Sequence, residues 1–280
     1  MADSLEGQTV LITGATNGHG LALAQRLAAD GAKIVLHGRT PEKAEAARAF
    51  TLAAVPDAVV ETVAADFGSL RAVQQLGAEV SARFPSLHAL VNNAGIGNGR
   101  RGQQRQESAD GIELRFAVNY LAGVVLTGAL LSRLAAVVEK PARVVNIASL
   151  GQAPLDPADP LLERSYDGVR AYGQSKLAQI MFTIDLAAQV GRRGITVNSL
   201  HPGTFMPTGM VAEAGITPLT SLEDGVRATA RLVADPALAG TTGKFFDGLR
   251  ETEADPTAYD PSAREYLRAL TDRLLHDALA

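Results

Sequence analysis

The sequence predicts an α/β fold, with a single doubly wound parallel sheet of about seven strands and helices on both faces. Short apolar runs rich in β-branched residues alternate with helical patterns four times in the first hundred residues, and this alternation predicts a right-handed parallel sheet. A glycine-rich turn joins the first apolar run to the first helical pattern. Polar residues and glycines follow the later runs, at the edge of such sheets where ligands bind.

The composition excludes several classes of protein. The 280 residues include no cysteine, which excludes disulfides and thiolate chemistry, and the histidines show no metal-ligand spacing, so we expect no metal. The net charge of −4 disfavours a nucleic-acid partner. Residues 1–6 are acidic where a secretory signal would be basic, and we expect a cytoplasmic protein. The apolar run 121–138 contains Thr127, Ser132 and Arg133 and predicts a buried helix rather than a membrane span.

The first strand, Thr9–Thr13, leads through the glycine-rich turn into a helix over Leu21–Ala29. Glycines at positions one, five and seven of this turn let the backbone approach a pyrophosphate, and the N–H groups and helix dipole face the anion. The alternative is a tight connection without a ligand. The turn residues that we expect to bind a dinucleotide are Gly14, Thr16, Asn17, Gly18, His19 and Gly20.

The second strand, Lys33–His37, is followed by Arg39, with no acidic residue at the strand end. Dinucleotide folds place there an acid for the ribose 2′-hydroxyl of NAD, or an arginine nearby for the 2′-phosphate of NADP. Arg39 therefore predicts that NADP(H) is preferred over NAD(H). The alternative is that Arg39 is a solvated loop charge.

A helix over Glu42–Ala54 is followed by the third strand, Val59–Ala64, which leads into Asp66 and Phe67. We expect both residues to lie at the cofactor site. Asp66 either accepts a hydrogen bond from an adenine amino group or caps the next helix, which begins near Ser69.

The fourth strand, Leu87–Val91, is followed by the sequence Asn-Asn-Ala-Gly. A long helix over Asp110–Val138 carries Asn119 in apolar surroundings, where the amide is either a structural hydrogen-bond node or a functional group. The fifth strand, Arg143–Ala148, ends at Ser149. The residues after the fourth strand that we expect to line a cofactor are Asn93, Ala94 and Gly95.

A helix over Val169–Val190 carries Tyr172 and Lys176, whose spacing places them on one helical face. A free tyrosine titrates near 10, so an acid–base role near pH 7 requires its pKa to fall by about three units. A unit charge about 5 Å away contributes about 3 kcal/mol at an effective dielectric near 20, which makes Lys176 the predicted cause. Helices also carry such pairs by chance, so the other motifs decide the assignment.

The sixth strand, Ile195–Leu200, is followed by a helix over Leu222–Ala234, a seventh strand over Gly243–Phe246 and a final helix over Ser262–Leu279. Directly after the sixth strand lie three further expected cofactor residues, Pro202, Gly203 and Thr204.

Three connections at the carboxyl edge of the sheet are expected to form the substrate site. Residues 96–106 form a basic loop, residues 151–168 a loop rich in proline and aspartate, and residues 204–220 an irregular cover. For the first and third, the alternatives are a solvated connection and ordinary packing under a loop. The basic residues of the first loop are Arg100, Arg101 and Arg105, and the apolar residues of the third that indicate a bulky hydrophobic substrate are Phe205, Met206 and Met210.

Together these motifs resemble those of the short-chain dehydrogenase/reductase family over nearly the whole chain. Within the family, the sequence most resembles the branch that contains the retinol dehydrogenases and protochlorophyllide reductases. His19 departs from the family, which usually has an aliphatic residue at this position. The resemblance is carried by Thr13 with the glycine turn, the Asn-Asn-Ala-Gly sequence, Asn119, Ser149, the run from Tyr172 to Ala178, and the His-Pro-Gly and Gly-Lys-Phe-Phe sequences.

The resemblance implies a role for each catalytic residue. Tyr172 exchanges a proton with the substrate oxygen, and Ser149 hydrogen-bonds that oxygen as charge develops. Lys176 lowers the pKa of Tyr172 and holds the nicotinamide ribose, and Asn119 anchors a water through which Lys176 regains its proton. Subunits of the family often pair through their long helices. The resemblance therefore also implies a homo-oligomer, either a dimer or a tetramer.

The sequence therefore predicts a single Rossmann domain over residues 1–280 that transfers a hydride between NADP(H) and a ketone, an aldehyde or a secondary alcohol. Two alternatives stay open, a non-catalytic NADP(H) sensor and an epimerase or dehydratase. A sensor has no need of Ser149, Tyr172 and Lys176 together, and an epimerase would carry a larger substrate domain. Nucleophilic hydrolysis fails because Leu177 occupies the second glycine position of a nucleophile elbow.

Overall fold

The structure, a computed structural model, describes residues 5–100, 102–213, 215 and 217–280. Its strands are β1 (Thr9–Ile12), β2 (Lys33–Gly38), β3 (Val60–Ala64), β4 (Ala89–Asn92), β5 (Ala142–Ile147), β6 (Ile195–His201), β7 (Phe245–Asp247) and β8 (Arg250–Thr252). They form one sheet in the order β3-β2-β1-β4-β5-β6-β7-β8. β1 to β7 pair in parallel, and β8 is antiparallel to β7. The strand order reverses between β1 and β4, which is where such sheets bind ligands.

Helices connect the parallel strands and cover both faces of the sheet. They are α1 (Gly18–Ala29), α2 (Pro41–Ala54), α3 (Leu70–Arg83), α4 (Ala122–Leu134), α5 (Gly168–Val190), α6 (Gly209–Glu213), α7 (Leu222–Ala234) and α8 (Pro261–Leu279). One apolar cluster joins α1, α2 and α7 to the sheet, and a second joins α3, α4 and α5 to its other face. Because both faces are covered, β4, β5 and β6 are buried along their whole length.

The predicted α/β fold with its doubly wound parallel sheet is confirmed, and two details differ. The antiparallel edge strand β8 was not predicted, because three polar residues at an edge carry no apolar pattern. The continuous helix predicted over Asp110–Val138 is wrong: a π-helical segment, Phe116–Leu121, precedes α4, which ends at Leu134. A π turn adds a residue to a helical turn without changing its apolar composition, so the pattern alone does not reveal it.

Among the described residues, one helix is long and apolar enough to cross a membrane by length and composition, and it spans Phe116–Leu134. Half of this stretch is buried inside the protein. It packs against α3 and α5.

The C-terminal helix α8 packs across α3 and α5. The Tyr120 hydroxyl lies 2.8 Å from Oγ1 of Thr271, and Asp185 of α5 pairs with Arg264 at 2.8 Å and Arg268 at 2.6 Å. Together with a third apolar cluster between these helices, the contacts fix α8 against the sheet domain.

Candidate active site

The glycine turn between β1 and α1 is a cradle lined by backbone. Gly14 and Gly18 have φ values of +63° and +50°, in the left-handed region that favours glycine. A Cβ on Gly14 would lie 2.7 Å from the Cα of Ala94, and one on Gly20 would lie 2.5 Å from Nδ2 of Asn93. Larger residues at these positions would therefore push the two loops apart.

The sequence Asn-Asn-Ala-Gly after β4 is fastened to this turn. Oγ1 of Thr13 accepts hydrogen bonds from the backbone N–H groups of Asn93 and Ala94, both at 2.9 Å. The side-chain amide of Asn93 donates to the carbonyls of Thr13 at 2.8 Å and Gly14 at 3.1 Å. The structure thus joins the two loops that flank the point where the strand order reverses.

The start of α1 fits an anion. Asn17 occupies the N-cap position, but its side chain makes no capping hydrogen bond. The first N–H groups of a helix have no partner within the helix, and together with the helix dipole they favour a negative charge. Thr16 closes the turn against β2, since a Cβ on Gly38 would lie 2.8 Å from its Cγ2. Uncapped N–H groups beside a glycine cradle fit the pyrophosphate of a nicotinamide dinucleotide.

His19 was expected at the cofactor site, but its side chain is committed to protein contacts. The ring is 6% exposed, and Nδ1 lies 2.9 Å from Oδ1 of Asn93. Because the Asn93 amide nitrogen already donates elsewhere, His19 Nδ1–H is the donor. Nε2 lies 3.0 Å from Oγ1 of Thr229 in α7. Burial lowers the pKa of His19, so the ring is neutral at pH 7 and only its backbone N–H remains for a cofactor.

His37 is a site residue that sequence reasoning missed. Its Nδ1 accepts the N–H of Gly14 at 3.1 Å, and its Nε2 therefore donates to the carbonyl of Ala65 at 3.0 Å. Burial lowers the pKa of His37 to about 4, so the ring is neutral and holds the glycine turn to the end of β3. The ring stacks on Phe67 at 4.4 Å between centroids. Phe67 was expected at the cofactor site, but it is only 6% exposed, so little of its side chain can contact a ligand.

Arg39 and Asp66 form an ion pair at the ends of β2 and β3. Nη2 and Nε of Arg39 lie 2.8 Å and 3.0 Å from Oδ2 of Asp66, and both side chains are exposed. The other oxygen of Asp66 accepts the N–H of Gly68 at 2.9 Å. Ser69 caps α3 through the N–H of Ala72, so the alternative that Asp66 caps this helix is wrong. Arg39 is paired with Asp66 but 70% exposed, so both its role as a phosphate ligand and the alternative of a solvated loop charge stay open.

Ser149 and Tyr172 meet at the carboxyl edge of the sheet. Ser149 follows β5, and Tyr172 lies near the start of α5. A Cβ on Gly151 would lie 3.5 Å from Oγ of Ser149 and 3.7 Å from Cε1 of Tyr172, so the two side chains are neighbours. Burial raises the pKa of Tyr172, and the nearby Ser149 hydroxyl opposes that rise. The predicted direction, a fall in the pKa of Tyr172, is therefore wrong, because this pKa is raised. Desolvation of the phenolate dominates, and Nζ of Lys176 lies 5.6 Å from the centre of the Tyr172 ring.

Lys176 is 4% exposed and is held by two neutral acceptors. Its Nζ donates to the carbonyl of Ile147 at 2.8 Å and to Oε1 of Gln179 at 2.9 Å. Burial lowers the pKa of Lys176 to about 7, because the ammonium loses its hydration. This side chain can therefore gain or lose a proton near neutral pH.

Asn119 is a hydrogen-bond node in the π-helical segment. Its amide group donates to the carbonyl of Ile96 at 3.1 Å and to Oγ of Ser175 at 2.9 Å, and Oδ1 accepts the N–H of Ile96 at 2.8 Å. A Cβ on Gly95 would lie 3.3 Å from Oδ1 of Asn119 and 3.6 Å from Nζ of Lys176. The glycine keeps this space free. That Asn119 anchors a water for Lys176 stays a prediction.

The segment after β6 closes the same edge of the sheet. Pro202 and Gly203 follow the strand directly, and Thr204 Oγ1 lies 3.0 Å from Nε2 of His201. A Cβ on Gly203 would lie 2.9 Å from Cγ2 of Thr220. The two ends of the 204–220 connection thus meet beside the predicted cofactor residues.

The apolar residues of this connection divide into two groups. Phe205 is 41% exposed and has a positive φ of +50°, so it stays a candidate for the substrate cover. Met206 is buried, and a Cβ on Gly225 of α7 would lie 2.3 Å from its Sδ. The alternative of ordinary packing under the loop therefore holds for Met206. The side chain of Met210 lies outside the described residues.

The other two substrate-site loops are tied together. Arg105 Nε donates to the carbonyl of Leu161 at 3.0 Å, so Arg105 is not a solvated charge. Arg115, just before the π-helical segment, donates from Nε to the carbonyl of Gly97 at 2.8 Å and from Nη1 to the hydroxyl of Tyr166 at 2.6 Å. Sequence reasoning missed Arg115. Arg101 lies outside the described residues.

The arrangement suits hydride transfer from a bound dinucleotide. The glycine cradle, the Arg39–Asp66 pair and the group of Ser149, Tyr172 and Lys176 all lie at the carboxyl edge of the sheet. Over the described ranges, from residue 5 to 280 with their gaps, no three His, Asp or Glu side chains are grouped to hold a metal ion.

The chain is similar to known proteins in both sequence and fold. Residues 8–218 match the family model for short chain dehydrogenase. Human retinol dehydrogenase 13 is 32% identical over 97% of this chain and 86% of its own. A solved protein from Mycobacterium paratuberculosis has a TM-score of 0.78 and 26% identity over 98% of this chain and 95% of its own. A short chain dehydrogenase from Shigella flexneri 2a, solved with NADP, has a TM-score of 0.72 and 25% identity over 89% and 100%.

Proposed function

The chain belongs to the short-chain dehydrogenase/reductase family, and we propose that it is an NADP(H)-dependent carbonyl reductase or alcohol dehydrogenase. The reaction would pass a hydride between nicotinamide and a ketone, an aldehyde or a secondary alcohol. The observation that carries this proposal is the meeting of the Ser149 and Tyr172 side chains at the carboxyl edge of the sheet, on the helix that also carries the buried Lys176. A protein that only sensed the nucleotide would have no need of this acid–base group.

Each side chain has one task in the proposed reaction. A bound nicotinamide cofactor supplies or accepts the hydride. Tyr172 donates its proton to the substrate oxygen during reduction and takes it back during oxidation. Ser149 donates a hydrogen bond to the same oxygen as negative charge develops on it. Lys176, with a pKa of about 7, is able to return a proton to the site at neutral pH.

Arg39 supports NADP(H) as the preferred cofactor. Its guanidinium is 70% exposed at the end of β2, and the nearby Asp66 is already neutralised by the ion pair. A guanidinium can bind a phosphate through two parallel hydrogen bonds. The similar Shigella flexneri protein was solved with NADP, which adds support.

Replacement of Arg39 by alanine is expected to weaken NADPH binding by about tenfold to a hundredfold, since a hydrogen bond to a charged group contributes about 1.5–3 kcal/mol. NADH lacks the 2′-phosphate, so its affinity should change less than about twofold. This is much smaller than the tenfold change that corresponds to 1.4 kcal/mol. Calorimetric titration with both cofactors measures the difference. Arg26→Ala is the control, because Arg26 pairs with Asp30 on the surface of α1. An equal loss for NADPH and NADH would refute the 2′-phosphate contact.

The proposed substrate is bulky and fairly hydrophobic. Exposed apolar side chains occur in or beside the loops at the carboxyl edge, although isolated ones are common on protein surfaces. Here they follow Ser149 directly, precede Tyr172 in α5, or lie in the 204–220 connection. They are Leu150, Val169, Phe205 and Leu219.

The proposed function is tested by NADPH and NADH consumption with a panel of hydrophobic ketones and aldehydes. Turnover that prefers NADPH and disappears in Tyr172→Phe would support a carbonyl reductase. If neither cofactor is consumed, calorimetric binding of NADPH decides between the alternatives. Tight binding without turnover of any panel member would favour the sensor, and absence of binding would refute the assignment of the glycine cradle.

We further propose that residues 1–280 act as one catalytic domain in the cytoplasm, as a homo-oligomer and without a nucleic-acid partner. The continuous sheet supports one domain, and the net charge of −4 disfavours nucleic acid. Size-exclusion chromatography with light scattering would test the oligomeric state.

A further inference from the structure

The buried ammonium of Lys176 has an uncommon set of partners. Only two acceptors are assigned to it within the described chain, the carbonyl of Ile147 and the side-chain oxygen of Gln179. Neither acceptor is charged. A buried ammonium without a carboxylate partner depends on such neutral acceptors, because they replace the hydrogen bonds that it made to water. Loss of one acceptor leaves an N–H of a charged group without a partner.

Gln179 is placed by the geometry of α5 to contact Lys176. Tyr172, Lys176, Gln179 and Thr183 follow one another at spacings of four, three and four residues, which puts them on one face of the helix. Gln179 is itself 4% exposed. Its side chain therefore has no bulk water to compete with Nζ for the amide oxygen.

A chain of hydrogen bonds between neutral polar groups connects this helix face to the sheet. Thr183 Oγ1 donates to the backbone carbonyl of Gln179 at 2.8 Å and accepts from Nδ2 of Asn146 at 2.8 Å. Oδ1 of Asn146 accepts from Nδ2 of Asn92 at 2.8 Å, and Asn92 also donates to Thr127 at 3.0 Å. The chain crosses from α5 over β5 and β4 to α4 and fixes the backbone that carries Gln179.

We propose that Gln179 is a positioning residue of the active site, whose amide oxygen holds the Nζ ammonium of Lys176 beside Tyr172. A neutral acceptor at this place fixes the ammonium without neutralising it. A carboxylate here would favour the charged amine much more strongly, and an apolar side chain would leave one N–H without a partner. The contact is independent of the proposed function, and only its effect on turnover rests on that function.

The other titratable groups near Lys176 come from two elements. Tyr172 lies one turn earlier in α5, and His201 of β6 interacts with Lys176 and with Asp247 of β7. Burial and Lys176 lower the pKa of His201, whereas Asp247 raises it. These groups are unchanged in variants of Gln179, so comparison of such variants isolates the contact with Lys176.

The test replaces Gln179 by methionine and by glutamate, which keep its length but remove the acceptor or make it a carboxylate. The free energy of unfolding is measured by urea titration from pH 5 to 10. Because burial lowers the Lys176 pKa to about 7, the unfolded chain binds the extra proton above this pH, so stability rises with pH from about 7. We expect this rise to begin about one pH unit lower in Gln179→Met and about one unit higher in Gln179→Glu.

Two controls test whether the pH shifts arise from the contact between Gln179 and Lys176. In a Lys176→Met background the rise should be absent, and Gln179→Met should leave the pH dependence unchanged, as a double-mutant cycle requires. Gln179→Glu in this background buries a carboxylate without a cation, so stability should instead fall as pH rises. Gln174→Met is the matched control, because Gln174 is a buried glutamine of the same helix whose side-chain amide has no hydrogen-bond partner among the described residues. It should leave the onset of the rise where it is in the unmodified protein.

Turnover supplies the second readout, and it separates the two proposals. If the protein reduces carbonyls, Gln179→Met should lower kcat at pH 7 about tenfold with little change in KM, which corresponds to about 1.4 kcal/mol. Opposite pH shifts without any turnover would uphold the contact and refute the proposed function. Turnover with unshifted pH dependence in both variants, or equal shifts in the same direction, would overturn the role of Gln179. If Gln179→Met does not fold, Gln179→Glu decides whether Gln179 has this role. The rise in stability must begin at higher pH in this variant, and the rise must be absent when Lys176→Met is added.

Discussion

Replacement of Tyr172 by phenylalanine is expected to lower kcat by about 10³-fold, in the middle of the range for loss of a general acid. The change removes one oxygen atom and leaves the ring, so the packing of α5 is retained. NADPH binding should change by less than about threefold, which is below 0.7 kcal/mol. Single-turnover kinetics with NADPH and calorimetric titration of the cofactor separate these two effects.

The matched control is Tyr259→Phe, because Tyr259 is 45% exposed and its hydroxyl accepts the N–H of Ala254, outside the substrate-site loops. This variant should keep full turnover. If Tyr172→Phe retained a tenth or more of the activity, the proton would come from another group. If instead it lost NADPH binding, the hydroxyl would serve the cofactor rather than the substrate.

The sequence predicted the fold well because the parallel sheet has two covered faces. Strands buried on both sides must be continuous apolar runs, and each run between glycines and helical patterns corresponds to a strand of the structure. β8 at the edge has no such requirement, and its three polar residues are fixed by antiparallel pairing with β7. The π-helical segment also escaped prediction, because it depends on backbone hydrogen bonds rather than on composition.

The candidate site was predictable where one short motif supplies the residues. Gly14 with Gly18, and Tyr172 with Lys176, are spaced by local geometry that a strand end or a helix enforces. The pKa direction of Tyr172 was wrong because sequence spacing gives the distance of a charge but not the burial of the phenol. Burial depends on loops far away in the chain.

Contacts across long sequence separations carried no readable signal. His37 bonds the glycine turn 23 residues away, and Arg115 bonds Tyr166 across 51 residues. A histidine in an apolar strand and an arginine near an apolar helix are both compatible with solvent-facing positions. Only the folded arrangement shows that Arg115 is among the largest fully buried side chains.

Replacement of Arg115 by methionine is expected to destabilise the protein by about 3–5 kcal/mol, because it leaves a buried charge without its partner. Arg115 and Glu113 are each 2% exposed, with Nη1 and Oε1 3.3 Å apart. The other oxygen of Glu113 accepts the N–H of Phe116 at 2.8 Å, so the carboxylate cannot turn away to solvent without breaking the helix start. Urea unfolding at pH 7 measures the loss.

The substitution should also raise the KM of a bulky substrate, because Arg115 holds the carbonyl of Gly97 and the hydroxyl of Tyr166 in two different substrate-site loops. Adding Glu113→Gln removes the stranded charge and should restore about half of the lost stability, since the cost lies in the uncompensated carboxylate. The control is Arg170→Met, whose pair with Asp156 is exposed and should cost less than about 1 kcal/mol. A loss in Arg115→Met no larger than in this control would refute a stabilising role for the buried ion pair.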